Sequence, residues 1–236
     1  MDPTLKALAL TGLAGAAIPI GGALAAVEHI QPRWLEQELR HGIIAFGGGV
    51  LLAAVALVLV PEGVAAAPLG LAAAAFAGGG LVFLALDMAV ARAGASLANL
   101  VAALADFVPE AVALGASLAA REPTTLLLAL LIALQNLPEG FNAYREMVSA
   151  GSGRWRVLWA MAATALLGPL AGLLGLHVLV RYPTVVGALM LLSAGGILYV
   201  LFQDIAPQAR LARRWIPPFG AVLGFLAGLV GQQLLH

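Results

Sequence analysis

The sequence predicts an all-α polytopic membrane protein of eight transmembrane helices, with an inverted repeat of helices 1–3 and 6–8 around a central helix 4/5 pair. Three observations predict it: the composition, the cadence of apolar segments, and a gapless internal match between two of them. Hydrophobic residues make up 62% and charged residues 10% of the 236 positions, and mean hydropathy is +0.99. A soluble domain carries about 25% charged residues, so water is the wrong solvent for this surface and a lipid bilayer the expected one. Formal net charge is zero, which offers nucleic acid no basic footprint. The chain has no cysteine, which excludes disulfides, cysteine-bound zinc and thiol catalysis.

Charged and Pro/Gly-rich breaks cut the chain into apolar segments at residues 4–27, 41–61, 68–91, 98–120, 124–149, 155–180, 184–205 and 216–235. Each is near the roughly 20 residues a helix needs to cross the hydrocarbon core. The first segment follows a nearly uncharged "MDPTLK" and has a long apolar run, so it reads as a span although "ALAAVEH" offers small residues for cleavage. The joining stretches are short and leave no room for a second domain, so residues 1–236 form one transmembrane domain.

Orientation follows from the basic residues. With the N-terminus outside, Arg33, Arg40, Arg92, Arg145, Arg154, Arg156, Arg210, Arg213 and Arg214 fall inside, and only Lys6, Arg121 and Arg181 outside. Loops this short obey the positive-inside rule, which makes both termini extracytoplasmic.

The internal match sets "AFGGGVLLAAVALVLVPEG" (45–63) on "LLSAGGILYVLFQDIAPQA" (191–209), sharing Gly49 with Gly195, Leu52 with Leu198 and Pro61 with Pro207. These are helices 2 and 7, which cross in opposite directions, as in an inverted-repeat transporter. Helices 4 and 5 are then the central pair, and both carry a Pro-Glu motif: "ADFVPEAV" and "LQNLPEGF". Asp106 and Glu110 lie four apart on one helix face, as do Gln135 and Glu139, with Asn136 three before Glu139. Pro109 and Pro138 supply no N–H, so the carbonyls of Ala105 and Leu134 lose their helical partners.

An ionised carboxylate in hydrocarbon is costly, and intramembrane acids face a cavity or an ion path. Asp106, Glu110 and Glu139 have no Lys or Arg at their depth, so the missing charge is that of a cation. Carboxylates, amides and carbonyls are the oxygen ligands of a divalent metal. Protonated acids bonded between helices would be the structural alternative. An intramembrane hydrolase lacks its signatures here, having neither His-Glu-x-x-His nor a serine with a histidine partner. A membrane protein that binds metal without transporting it is the remaining alternative.

The two Pro-Glu motifs, the paired stretches of helices 2 and 7, and "PPFGAVLGFLAGL" in helix 8 together resemble the ZIP family of divalent-metal transporters, over essentially the whole chain. The resemblance implies eight helices with both termini outside, a metal site between helices 4 and 5, passage of metal toward the cytoplasm, no enzymatic activity, and a homodimer as the assembly. It places the ligands at the first, second and fifth positions of each motif: Asp106, Phe107 and Glu110, then Gln135, Asn136 and Glu139. Asp106 stands where the family often has His, an oxygen for a nitrogen, so the cargo set widens from zinc to iron, manganese or cadmium. Phe107 stands where it often has Asn or Asp, which favours one metal position over two.

Other polar residues mark the approaches. Asn142 and Glu146 continue the Glu139 face toward the cytoplasm, Asp204 lies near the inner end of helix 7, and Glu62 sits at the outer mouth; all four are expected along the metal path. Arg145 is expected to reach the lipid head groups. Asp87, His41 and His177 read as interfacial or packing residues, and the glycines at 47–49 and 78–80 as points of close helix approach.

Overall fold

The structure is a computed structural model that describes residues 2–28, 33–93, 98–120, 123–210 and 215–235, with the backbone alone for residues 33–36, 90–93 and 98–106. Among these residues all the regular structure is helical: α1 (Pro3–Val27), α2 (Arg33–Ala54), α3 (Val60–Ala66), α4 (Leu69–Ala93), α5 (Ala98–Ala120), α6 (Thr125–Ser149), α7 (Arg154–Ala165), α8 (Leu167–His177), α9 (Pro183–Val200), α10 (Ala206–Ala209) and α11 (Phe219–Leu235). Pro3 opens α1, where no N–H is needed, and the Asp2 carboxylate caps it by accepting from the Thr4 N–H at 3.0 Å.

α2 runs into α3, and α9 into α10, through five-residue π turns at Val55–Leu59 and Leu201–Ile205. Both turns precede a proline, Pro61 or Pro207, whose ring would press on the carbonyl four residues back. Widening the turn relieves that pressure: the Val60 N–H reaches the Val55 carbonyl, and the Ala206 N–H the Leu201 carbonyl. The two turns fall on the same positions of the internal sequence match. Pro109 and Pro138, by contrast, sit inside unbroken α-helices.

Among the described residues, six helical runs are long and apolar enough to cross a membrane: Pro3–Val27, Gln37–Ala66, Leu69–Ala89, Thr125–Ser149, Arg154–Arg181 and Pro183–Ala209. The expected eighth segment is the shorter α11, whose 17 residues span about 26 Å at 1.5 Å per residue, against a hydrocarbon core of about 30 Å. The fourth, α5, is described with side chains from Phe107 onward, as the apolar stretch Phe107–Ala120. The second starts earlier than the apolar pattern indicated, at Arg33, and the sixth is interrupted at Leu166 between α7 and α8.

Glycine decides which helices touch backbone to backbone. A Cβ on Gly21 would lie 2.0 Å from the Leu137 carbonyl oxygen, and one on Gly140 2.1 Å from that of Ile18, so α1 and α6 interlock. α5 and α8 interlock likewise, with Gly115 against Gly172 at 1.9 Å and Gly175 against Val112 at 2.0 Å. α2 meets α11 through Gly49 on Ala221 and Gly224 on Phe46, and α4 meets α9 through Gly79 on Leu192 and Gly195 on Phe76. Exchanging segments 1–3 with 6–8 and segment 4 with 5 turns the first pair of contacts into the second and the third into the fourth. α1, α5, α6 and α8 thus make one close-packed group, and α2, α4, α9 and α11 another. Where the groups meet, the tight contacts are with side chains: Gly47 with the Pro138 ring at 2.8 Å, and Gly231 with the Leu127 methyl at 2.9 Å.

Candidate metal centre

α5 and α6 run antiparallel across a short connection, and this brings their polar residues to one depth in the apolar core. Glu110 and Gln135 are each 0% exposed. The Gln135 side-chain nitrogen donates to both carboxylate oxygens of Glu110, at 2.8 and 2.7 Å. A carboxylate only accepts, which fixes the amide's orientation. It leaves Gln135 Oε1 buried with no hydrogen-bond partner. Such an orphan costs about 1–3 kcal/mol and asks for an electrophile, which a hard cation supplies. A half-turn of the amide about its last side-chain bond would set this oxygen beside the Glu110 carboxylate.

The other predicted ligands are placed differently. Asn136 is buried and its Nδ2 donates to the Ala14 carbonyl at 2.9 Å, tying α6 to α1 and directing the amide nitrogen away from Glu110. Phe107 is 1% exposed and its ring fills a slot between α1 and α8, where a Cβ on Gly15 or Gly168 would lie 3.0 or 2.6 Å from its Cζ. That ring has no donor for a metal, and the two glycines are what admit it. Asp106 is on α5 one turn before Glu110, and its side chain lies outside the described residues. Among the described residues no group of three or more His, Asp or Glu stands close enough to hold a metal; of the expected ligands with described side chains, Glu110 and Gln135 are joined by hydrogen bonds.

Access to this pair is asymmetric. Toward the α5–α6 connection, Ala113, Leu114, Leu127, Leu128, Leu131 and Ile132 are at most 1% exposed and seal the way. Toward the other end of α6, Glu139, Asn142 and Glu146 are all partly exposed on one face. Asn142 Nδ2 donates to Glu146 Oε1 at 2.8 Å and to Gln208 Oε1 of α10 at 3.2 Å. Asp204 is exposed nearby on the second π turn, and the Tyr199 hydroxyl donates to Asp87 Oδ2 at 2.9 Å. Asp87 thus ties α4 to α9. At the sealed end Glu62 accepts from the Thr124 hydroxyl, and that contact holds α3 to the start of α6.

Arg145 is ion-paired with Glu28 at the end of α1, and its guanidinium carbon lies 5.9 Å from the Phe141 ring centroid. A partly buried carboxylate within reach holds a guanidinium more firmly than dispersed head groups do. His177 is within 3.5 Å of the Thr4 hydroxyl and His41 within 2.6 Å of the Gln37 carbonyl, both at exposed positions. Sequence reasoning missed Gln208, although the internal match aligns it with Glu62. It also missed Glu28, whose only signal was an acid at a segment end.

No family model matches the chain. Curated relatives do, among them the "Zinc transporter ZIP11" of Bos taurus, 29% identical over 78 residues, and that of Homo sapiens, 30% identical over 78 residues. The matched stretch covers 33% of this chain and spans 23% of the length of those relatives, so the chain is similar to zinc transporters over about a third of its sequence.

Proposed function

We propose that the chain is a divalent-metal transporter, with zinc as cargo and iron, manganese or cadmium admitted, that passes metal across the membrane through a site built on Glu110 and Gln135. The observation that carries this reading is the fully buried carboxylate–amide pair whose amide oxygen has no hydrogen-bond partner, set in an apolar core. Asp106, one turn before Glu110, and Glu139, one turn after Gln135, complete the donor set. All are oxygens, which suit hard and borderline cations. The partial likeness to zinc transporters agrees with that chemistry.

In this reading the inverted repeat supplies the mechanism. The helices locked to α5 and α6 by glycine, α1 and α8, travel with the site as one body. The group of α2, α4, α9 and α11 stays as the frame. Side-chain contacts such as Gly47 on Pro138 let the two groups slide, whereas the glycine-lined seams inside each group, where backbone meets backbone, do not. The sealed Leu127–Leu131 side and the partly exposed Glu139–Glu146 side correspond to a state open toward the cytoplasm, if the termini are extracytoplasmic. An open pore, or binding without transport, would be the competing readings.

Two measurements test this. With no native cysteine, single cysteines at Ala113, which is 0% exposed, and at Ala143, which is partly exposed, report the two sides separately. We expect a water-soluble thiol reagent to label the second and spare the first at rest, and the balance to reverse under conditions that drive the site outward. Constant labelling of both would mean a pore, and zinc binding without zinc uptake by proteoliposomes would leave only the binding reading.

Selectivity is tested at Asp106. Asp106→His exchanges an oxygen for an imidazole nitrogen, so preference for zinc over manganese should rise by about tenfold, the step expected from ligand softness. Identical competition profiles for the two proteins would remove Asp106 from the metal's ligands.

A further inference from the structure

The Arg145–Glu28 pair stands beside the proposed path, and its placement is odd for both partners. Arg145 is the one basic residue of α6, and it lies between Asn142 and Glu146, the residues that line the partly exposed side. Helix geometry sets its Cβ about 60° around from that of Asn142 and about 100° from that of Glu146. A guanidinium is long enough to reach either side of the helix from there. Left alone, it would turn toward the Glu146 carboxylate, and a fixed positive charge would stand in the way of a divalent cation. It turns instead to Glu28, stacked against Phe141, with side-chain exposures of 25% for Arg145 and 13% for Glu28.

Glu28 is equally out of place by itself. It is the C-cap residue of α1, and the carbonyl end of a helix repels a carboxylate. Its position is favourable only with a cation beside it. A mere staple between α1 and α6 would not require a charged pair either, since Gly21 and Gly140 already lock these helices together.

We infer that Glu28 is a positioning residue that acts through Arg145: it draws the guanidinium off the Glu139–Asn142–Glu146 face and so keeps the cytoplasmic half of the path negative for a divalent cation. The inference rests on the transporter reading above. It predicts a pattern that a staple cannot give. In proteoliposomes carrying a metal-sensitive dye, with Zn²⁺ and Mn²⁺ as probes, Glu28→Gln should slow uptake about tenfold, because Arg145 is released onto Glu146. Adding Arg145→Gln to it should restore uptake to within about twofold of the unaltered protein. Arg145→Gln alone should transport at least as fast as the unaltered protein, and this variant decides the matter even if Glu28→Gln fails to fold. A double variant as slow as Glu28→Gln, or an Arg145→Gln protein below about one-fifth of normal uptake, would overturn the inference and leave a structural tie. No uptake by the unaltered protein would instead overturn the transporter reading.

Discussion

Glu110→Ala is expected to bring uptake of zinc, manganese and cadmium to background, a loss of at least about 100-fold, with the protein still present in the membrane. Removing an outer-sphere partner of a metal already costs 10–100-fold, and Glu110 is proposed as a direct ligand. The substitution also leaves the Gln135 amide protons without an acceptor in a dry core, at a cost of about 1–3 kcal/mol. Glu110→Gln separates the two effects. It keeps the shape and leaves a neutral acceptor for Gln135, so thermal stability in detergent should hold while uptake is lost. Normal uptake by either variant would remove Glu110 from the transport site. The same experiment on Glu139 should lose uptake with less effect on stability, because Glu139 is only partly buried.

The largest effects on folding are expected where a glycine meets backbone, as at Gly115. Its added Cβ would sit 1.9 Å from the Gly172 carbonyl oxygen, and backbone atoms on both sides leave nothing to rotate away. α5 and α8 would have to part, and overpacking of this kind costs about 1–3 kcal/mol or more. At the upper figure of about 3 kcal/mol, which fits a clash with backbone alone, Gly115→Ala should lower the melting temperature in detergent by about 6–12 °C, taking 2–4 °C per kcal/mol for a chain of this size. Gly231→Ala is the comparison. Its Cβ would meet only the tip of Leu127 at 2.9 Å, a methyl that can change rotamer, so its melting temperature should fall by less than about 3 °C. Equal shifts would mean that the contact between the two helix groups is as rigid as the contacts within them.

Much of this was written in the sequence, because hydrocarbon constrains a chain more simply than water does. Apolar length marked out the helices, and the matched prolines at 61 and 207 pointed to positions that fold alike. The depth of Glu110 and Gln135 followed from their place in adjacent antiparallel segments. What sequence did not yield was direction around each helix at close range. Asn136 and Gln135 are neighbours with the same chemistry, yet one amide nitrogen turns to the Ala14 carbonyl and the other to Glu110. Only the glycine-set approach of α1 to α6 decides that. The destination of Arg145 was hidden for a similar reason, since Glu28 is far from it in the chain and meets it only through the α1–α6 contact.

In the transport site proposed above, the doubly hydrogen-bonded amide on Glu110 has a kinetic meaning. Before cargo arrives, both carboxylate oxygens are already satisfied by Gln135 protons, so an incoming ion must displace an internal rival and wait for the amide to rotate. The same amide is ready to reclaim the carboxylate when the ion's other ligands loosen. Part of the ion's affinity is thereby spent on opening the pair, and the dwell time shortens. A carrier gains from this, because a site that held its cargo as tightly as its donors allow would bind well and turn over slowly.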